Sequence, residues 1–522
     1  MIVGESLKSG SFARRAPRGW RRLRQATQTL ALALFLYLLV GTQRQFTTFL
    51  PHDLFFRLDP LAGVLAMLAA RAWIAPLALG SITLLLTVAL GRAWCGWLCP
   101  LGTILDWVPG RHNCAGAAMG LSSHWRLVKY FLLFSVLLAA AMGSLTLIIL
   151  DPIALLSRTT AAVVLPAFNL LVTGLESWLY GIRPLQPALE WLDGLMRGWL
   201  LNEQPFFLPN LLLAAVFAGV LGLNAVRPRF WCRYLCPLGG LLGLVSKLAH
   251  IRYAVDTDRC IACRHCAVTC PAGAIDTERK FAASPSECMA CLDCLDSCPT
   301  EAISFTSQPR TDNDACNPSR RRFLSSVAAA VVGASLLRWA SHASRTYYRL
   351  VRPPGTSDEE FMDRCIRCGE CIRVCPTGGL QPSNSASGWD GLWTPTLVSR
   401  AGYCDYSCNA CGQVCPTGAI TNLSLAEKRV KVIGLAVIDE KRCIPFAEGR
   451  ECIVCEEMCP IPTKAVRLER QKAVVNREGI ATVHLPEVVN DLCTGCGICE
   501  HQCPVDGEAA IRIEPPEPST AL

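Results

Sequence analysis

The architecture is decided by the stretch Cys260-Ile261-Ala262-Cys263-Arg264-His265-Cys266-Ala267-Val268-Thr269-Cys270-Pro271. It is answered by Cys288-Met289-Ala290-Cys291-Leu292-Asp293-Cys294-Leu295-Asp296-Ser297-Cys298-Pro299. Both read C-x2-C-x2-C-x3-C-P. In such a run three close thiolates hold three corners of an iron–sulfur cubane, and the fourth crosses to the neighbouring cluster. Cys260, Cys263, Cys266 and Cys298 should therefore hold one [4Fe–4S] cluster, and Cys288, Cys291, Cys294 and Cys270 its neighbour. The proline after each fourth cysteine stops a helix there. Zinc would ask for two separated C-x2-C pairs instead of triplets. Thiols this close in sequence cannot easily form a disulfide framework.

Toward the C-terminus the theme returns four times. The groups are Cys365, Cys368, Cys371 and Cys375; Cys404, Cys408, Cys411 and Cys415; Cys443, Cys452, Cys455 and Cys459; and Cys493, Cys496, Cys499 and Cys503. The second has one residue more in its first gap, the third a longer first gap, and all four end in C-P. At four thiols per cubane, the ferredoxin-type cysteines provide for six [4Fe–4S] clusters. Of the 30 cysteines, those left over are Cys95, Cys99, Cys232, Cys236, Cys114 and Cys316. The last two are read as structural or free.

Toward the N-terminus the chain turns apolar. Half of its 522 residues are hydrophobic (51%) and mean hydropathy is +0.32, which excludes an ordinary soluble globule and a disordered scaffold. Runs near 30–40, 73–91, 130–150 and 208–226 read as membrane spans, with a shorter fifth at 323–337. The stretches 60–70 and 161–171 suit interfacial or re-entrant helices. Lys8, Arg14, Arg15, Arg18, Arg21, Arg22 and Arg24 precede the first run, and Arg92, Arg227, Arg229 and Arg233 follow the second and fourth. Positive charge marks the cytoplasmic side, so the N-terminus and Cys260–Cys298 are expected there and everything after about Ala340 outside. No cleavable secretory signal opens the chain in this reading. A net charge of +8 over this length gives no sign of a nucleic-acid partner.

This apolar part contains a repeat. Leu58-Asp59-Pro60-Leu61-Ala62 returns as Leu150-Asp151-Pro152-Ile153-Ala154, and Arg92-Ala93-Trp94-Cys95-Gly96-Trp97-Leu98-Cys99-Pro100 as Arg229-Phe230-Trp231-Cys232-Arg233-Tyr234-Leu235-Cys236-Pro237. Two such units suggest a pseudo-two-fold bundle of four helices with both C-x3-C pairs at one membrane face. Together Cys95, Cys99, Cys232 and Cys236 could bind a shared iron–sulfur centre, cycle between dithiol and disulfide, or simply pack. Asp59 and Asp151 are candidate proton acceptors, although Asp-Pro also commonly caps a helix. His52 is a weaker candidate. Ser319-Arg320-Arg321-Arg322-Phe323-Leu324 before an apolar run matches the twin-arginine export pattern, which suits a protein that must cross the membrane folded around its clusters. There is no C-x-x-C-H, no Walker loop and no dinucleotide fingerprint.

On these motifs, residues from about 20 to 305 resemble NapH, the membrane quinol-dehydrogenase component of periplasmic nitrate reduction, and its relative MauN. Residues from about 317 to 505 resemble NapG and MauM, exported polyferredoxins with four clusters. The two components are usually separate chains; here they are fused, and the flavin domain of the related NosR proteins has no room. The expected layout is a basic cytoplasmic N-terminus (1–25), a four-helix membrane domain (26–250) and a two-cluster ferredoxin domain (251–306). A signal-like fifth span (307–345), a periplasmic four-cluster domain (346–510) and a tail (511–522) follow. The fold class is thus a multi-domain one, an α-helical transmembrane bundle with two ferredoxin-like α+β iron–sulfur domains. The resemblance implies a bacterial inner-membrane protein that oxidises quinol from the quinone pool and passes electrons to a periplasmic acceptor of cytochrome or molybdenum-reductase type. The alternative is a non-catalytic transmembrane conduit or maturation factor for a periplasmic metalloprotein. Likeness to other four-cluster ferredoxin subunits implies that the first outer group exchanges ligands with the fourth and the second with the third. Spacing alone equally allows the first to pair with the second.

Overall fold

A computed structural model describes residues 19–44, 50–108, 123–199, 210–307, 333, 335, 350–356, 358–384, 388–476 and 479–515. The twin-arginine motif, Cys114, Cys316 and nearly all of the expected fifth span lie outside these residues.

The repeat read in the sequence is a repeat in space. Helices α1 (Trp20–Arg44), α2 (Pro60–Ala70), α3 (Gly80–Leu90) and α4 (Pro100–Trp107) make the first unit. Helices α5 (Leu127–Ala141), α6 (Pro152–Leu179), α7 (Gln186–Trp199), α8 (Asn210–Gly222) and α9 (Pro237–Val245) complete the apolar part. Asp59 caps α2 by accepting from the Leu61 and Ala62 amides at 2.9 and 3.4 Å; Asp151 caps α6 through Ile153 and Ala154 at 3.0 and 2.9 Å. The proline after each aspartate occupies the first helical position, where its missing N–H costs nothing. Each C-x3-C pair sits on a π-helical turn, Trp94–Leu98 or Trp231–Leu235, and its second cysteine starts α4 or α9.

Among the described residues two helices, Trp20–Thr42 and Pro152–Leu179, are long and apolar enough to cross a membrane. The other expected spans are shorter. The 73–91 run is a 3₁₀ turn at Ala75–Leu79 followed by α3, and the 130–150 run ends its α-helix at Ala141 before a turn and a second 3₁₀ segment. Gly143, at φ +78°, makes that break inexpensive. The stretch 161–171, expected to be interfacial, lies within the long α6, carried through one π-helical turn at Thr160–Val164. The expected interfacial helix at 60–70 is α2, whose Leu61, Ala62, Leu65 and Ala66 are fully buried.

A ferredoxin-like unit docks at each end of the helices. The first carries the antiparallel pair β1 (Ile251–Val255) and β2 (Ile303–Ser307), in register Ile251↔Ser307. It is held by Lys129, which donates to both Glu287 carboxylate oxygens at 2.7 and 2.6 Å, by Arg92 on the Ser286 carbonyl at 2.9 Å, and by Arg24 on Asp293 at 2.9 Å. Gly96 is required here, because a Cβ would stand 2.4 Å from the Met289 carbonyl oxygen. The second unit carries three antiparallel pairs: Leu380–Pro382 with Pro395–Leu397, Leu435–Ile438 with Ile511–Glu514, and a long hairpin, Val466–Asn476 with Gly479–Val488. It grips the opposite end through Arg373 on the Leu39 carbonyl at 2.6 Å, Arg367 on the Leu145 carbonyl, and Asp390 accepting from Thr146. Helix α1 touches both units, since the Arg21 amide bonds Asp296 at 3.0 Å, Thr42 lies beside Glu370, and the Leu39 carbonyl accepts from Arg373. At 1.5 Å per residue Arg21 and Thr42 are about 32 Å apart, close to the hydrocarbon thickness of a bilayer.

The Lys129–Glu287 pair is fully desolvated, with side chains 0% and 6% exposed. Removing one member of such a pair strands the other's charge. Lys129→Met should lower unfolding stability by about 3 kcal/mol, and Lys129→Met with Glu287→Leu should recover only part of it, because Arg92 then loses the carboxylate 3.7 Å away. Denaturant unfolding in detergent measures both.

Candidate metal centres

The cysteine runs fold as the spacing requires. In four of the motifs two residues flanking the second cysteine adopt left-handed backbone: Ala262 and Arg264, Ala290 and Leu292, Arg367 and Gly369, Gly495 and Gly497. Alternating backbone of this kind turns successive N–H groups inward and forms a concavity suited to an anionic cluster. A short helix then presents the third cysteine, and the fourth leaves toward a different group.

Four cavities lined by four cysteines each show where the fourth goes. Cys260, Cys263, Cys266 and Cys298 surround about 320 Å³, so the first unit pairs as expected. Its other set is Cys270 with Cys288, Cys291 and Cys294, which interact electrostatically. In the second unit the expected exchange is corrected. Cys375 joins Cys404, Cys408 and Cys411 around about 420 Å³, and Cys415 stands with Cys365, Cys368 and Cys371. Likewise Cys503 joins Cys443, Cys452 and Cys455, and Cys459 joins Cys493, Cys496 and Cys499, in cavities of about 300 and 320 Å³. The first outer group therefore exchanges with the second, and the third with the fourth. The two diclusters meet where the Cys404 amide donates to the Cys496 carbonyl at 2.8 Å, and Arg400 ties them by donating to the Cys503 and Val505 carbonyls at 2.9 and 2.7 Å.

The thiol sets fit cubanes better than single ions. Among the described residues no three His, Cys, Asp or Glu side chains converge to hold one metal ion, and every described cysteine is free of disulfides. Burial, with crowding by like thiols, pushes Cys411 and Cys455 up to about 12 and Cys288 up to about 11. These thiols are thus held in the protonated form, and binding a cluster on them must release protons.

The four C-x3-C thiols also converge. Cys95, Cys99, Cys232 and Cys236 are all buried and within electrostatic reach of one another. Two arginines cross between the repeat units to reach them. Arg229, of the second unit, donates to the Cys95 carbonyl at 2.8 Å and contacts the Met289 sulfur at 3.2 Å. Arg92, of the first, lies against Gly239, where a Cβ would be 2.8 Å from its Nη2 and 3.3 Å from the Cys232 carbonyl oxygen. Met289 adjoins Cys288, so this group neighbours the inner dicluster.

Asp59 and Asp151 are both 0% exposed. Each uses Oδ1 as the helix cap described above, so the capping role holds for both. Arg158, Arg367 and Glu370 were missed by sequence reasoning. Arg158 packs 4.2 Å from the Trp393 ring centroid, donates to the Arg367 carbonyl at 3.3 Å and faces Cys365 and Cys368. Burial pushes the Glu370 carboxyl up to about 7, against the Ser157 hydroxyl that donates to it at 2.8 Å and the nearby Arg373. Glu370 lies inside the C-x2-C-x2-C run, where its burial could have been suspected; nothing in the sequence marks Arg158. His52 is half-buried, with no partner for its Nδ1.

Comparison with known proteins follows the same division. The family described as 4Fe-4S dicluster domain matches residues 364–419, spanning the first and second outer groups. Families described as 4Fe-4S binding domain match 254–275, and also 72–112, 209–253 and 411–432. The methylamine utilization ferredoxin-type protein MauM of Methylorubrum extorquens is 37% identical over 212 residues, 38% of this chain and 91% of that one. The chain belongs to the MauM/NapG family of ferredoxin-type proteins. The NapG protein of Escherichia coli is 37% identical over 203 residues, 38% of this chain and 85% of its own length. MauM of Paracoccus denitrificans is 35% identical over 192 residues, 36% and 81% respectively. No solved structure matches the chain. As a MauM/NapG-family protein it is an iron–sulfur electron-transfer protein. The matches at 72–112 and 209–253 fall on the two repeat units, each containing one C-x3-C pair.

Cys415→Ser should alter the cluster held by Cys365, Cys368 and Cys371, whereas Cys503→Ser should leave it unchanged. Electron paramagnetic resonance of the reduced protein distinguishes the two; the opposite pattern would restore the first-with-fourth exchange.

Proposed function

We propose that this chain is an inner-membrane quinol dehydrogenase component that passes electrons through six [4Fe–4S] clusters to a periplasmic reductase system. The observation that carries the proposal is the serial order of the thiol groups. At one end of the helices they run Cys260–Cys298, Cys288–Cys270 and the four C-x3-C thiols; at the other they run Cys365–Cys415, Cys404–Cys375, Cys493–Cys459 and Cys443–Cys503. Bound at these sites, the clusters supply one-electron carriers. The residues do the rest: the cysteine loops orient the carriers, the buried helix ends exclude water, and Asp59 and Asp151 serve as proton acceptors. The 32 Å reach of α1 between the two ferredoxin-like units, with exposed Leu30, Tyr37, Leu85, Leu86 and Leu211 on the helices, supports a membrane setting. In that setting the first unit is cytoplasmic and the outer one periplasmic, exported through the twin-arginine segment at 319–324.

The four membrane-facing thiols fit a further iron–sulfur centre in this route. With four thiolates such a centre carries a net charge of about −2 when oxidised; Arg92 places a buried guanidinium beside it, and Arg229, shared with Asp106, a second one. Arg92 Nε and Nη2 have no other partner.

A second reading, a conduit fed from the cytoplasm that helps mature an outer metalloprotein, is favoured by one feature. Cys263 is exposed beside Ile261, 53% exposed, so the innermost site presents an edge to a soluble donor.

Anaerobic mixing with a reduced quinone tests the main proposal. Quinol should bleach the cluster absorbance of the isolated protein. Reduction by a low-potential soluble donor alone, with none by quinol, would replace the proposal with the conduit reading. Cys95→Ser with Cys232→Ser should cut transfer from the inner to the outer clusters at least tenfold while all six cubanes assemble. Undiminished transfer with normal iron content would make the four thiols structural.

A further inference from the structure

The helix caps account for only half of each aspartate. Asp59 Oδ1 and Asp151 Oδ1 are occupied by backbone amides, but Asp59 Oδ2 and Asp151 Oδ2 are buried with no donor. The two carboxyls face each other within hydrogen-bonding reach. They are equivalent positions of the repeat, so they meet at its pseudo-two-fold. Two ionised carboxylates cannot stand there unpaired, whereas one proton between the free oxygens satisfies both. A pair built this way holds one negative charge and can take one further proton.

Its surroundings link it to the outer array. Arg158 lies seven residues after Asp151 on the same helix, two turns and about 10 Å along one face. It is 1% exposed, its Nε and Nη2 have no partner, and it faces both Asp151 and the Cys365–Cys368 loop. Beyond it stand Arg367, Glu370 and Arg373 of the outer unit; the turn before α2 carries His52, Asp53 and Arg57, all partly exposed. The uncharged Thr42 of α1 and Thr83 of α3 complete the neighbourhood.

We propose that Asp59 and Asp151 form a redox-linked proton site: the pair holds one proton when the cluster at Cys365, Cys368, Cys371 and Cys415 is oxidised, and binds a second when that cluster gains an electron. One electron passes from the donor to the cluster; one proton leaves hydronium or the donor's hydroxyl, whose O–H bond breaks, and a new O–H bond forms on a free Oδ2. Arg158 is a positioning residue, whose charge keeps the pair anionic until the reduced cluster's negative charge offsets it. The inference deepens the proposed function by placing the proton that accompanies each electron. It rests on the cysteines as cluster ligands and not on quinol as donor.

Mediated redox titration of the full chain at several pH values, read by electron paramagnetic resonance, tests it without quinol. The signal of this cluster is the one altered in Cys415→Ser. Its midpoint should fall as pH rises, approaching a tenfold change in the reduction equilibrium per pH unit, about 59 mV for one electron. In Asp59→Asn with Asp151→Asn, which keeps both capping oxygens, the midpoint should be flat with pH and iron content normal. Arg158→Gln should move the pH-dependent window upward and Arg158→Lys restore it, an independent check should the double variant fail to fold. A pH-independent midpoint in the native protein, or the same slope in the double variant, overturns the proposal. Loss of quinol reduction with the slope intact would instead overturn only the donor.

Discussion

The structure depends on one constraint, that the fourth cysteine of each run cannot reach the cavity its own first three surround. A short helix ending at C-P carries it away, so every run needs a second run to complete it. This makes the dicluster the unit of folding and fixes which segments touch. Cys375 pulls 365–375 against 404–415, Cys459 pulls 443–459 against 493–503, and the two products meet through Cys404, Cys496 and Arg400. The linear order of sites is a consequence of these exchanges.

That constraint was legible in the sequence, but its partners were not. All the runs end in the same C-P, so nothing local distinguishes Cys415 from Cys503 as the ligand that completes Cys365, Cys368 and Cys371. What distinguishes them is the chain between: within 375–404 the pair 380–382 with 395–397 folds the segment back on itself and closes the loop locally. Likeness to other four-cluster proteins pointed elsewhere, and the cavity around Cys375, Cys404, Cys408 and Cys411 overrules it. The Asp-Pro and C-x3-C repeat, by contrast, was fully readable, because a cap and a helix start are local events. Span lengths were not, since hydropathy cannot see a glycine at φ +78° breaking Leu127–Leu150, or a π-helical turn carrying Pro152–Thr159 on into Leu165–Leu179.

The buried arginines form a second layer that no motif announces. Arg92 and Arg229 stand before the C-x3-C pairs in the repeat and were read only as topology signals. Folding sends each across the pseudo-two-fold to the other unit's thiols, where Gly102 and Gly239 leave the room. Arg367 and Arg373, inside the first outer run, leave their own loop to bond carbonyls at the ends of α5 and α1. Arg229 is balanced by Asp106 and Arg92 lies 3.7 Å from Glu287; Arg367, whose hydrogen bonds go to carbonyls, sits beside a site meant for an anionic cluster, where a buried guanidinium is otherwise costly. The same residues that dock the units therefore supply the positive charge that the sites need.

Docking and electrostatics being carried by the same side chains has a structural consequence. A hinged outer unit would vary its distance from the helices, and with it both electron-transfer rate and local field. Here the unit nearest the helices is pinned by Arg367, Arg373, Asp390 and the Arg158–Trp393 stack. Gly369 packs so closely that a Cβ would meet the Arg158 Cα at 3.3 Å. Its φ of +86° is the left-handed backbone that the cluster loop requires, so one glycine serves both the turn around the site and the contact with α6. The presence of the helices and this unit in one chain then fits the geometry: the covalent link keeps together an interface whose residues are already committed to holding the carriers in line.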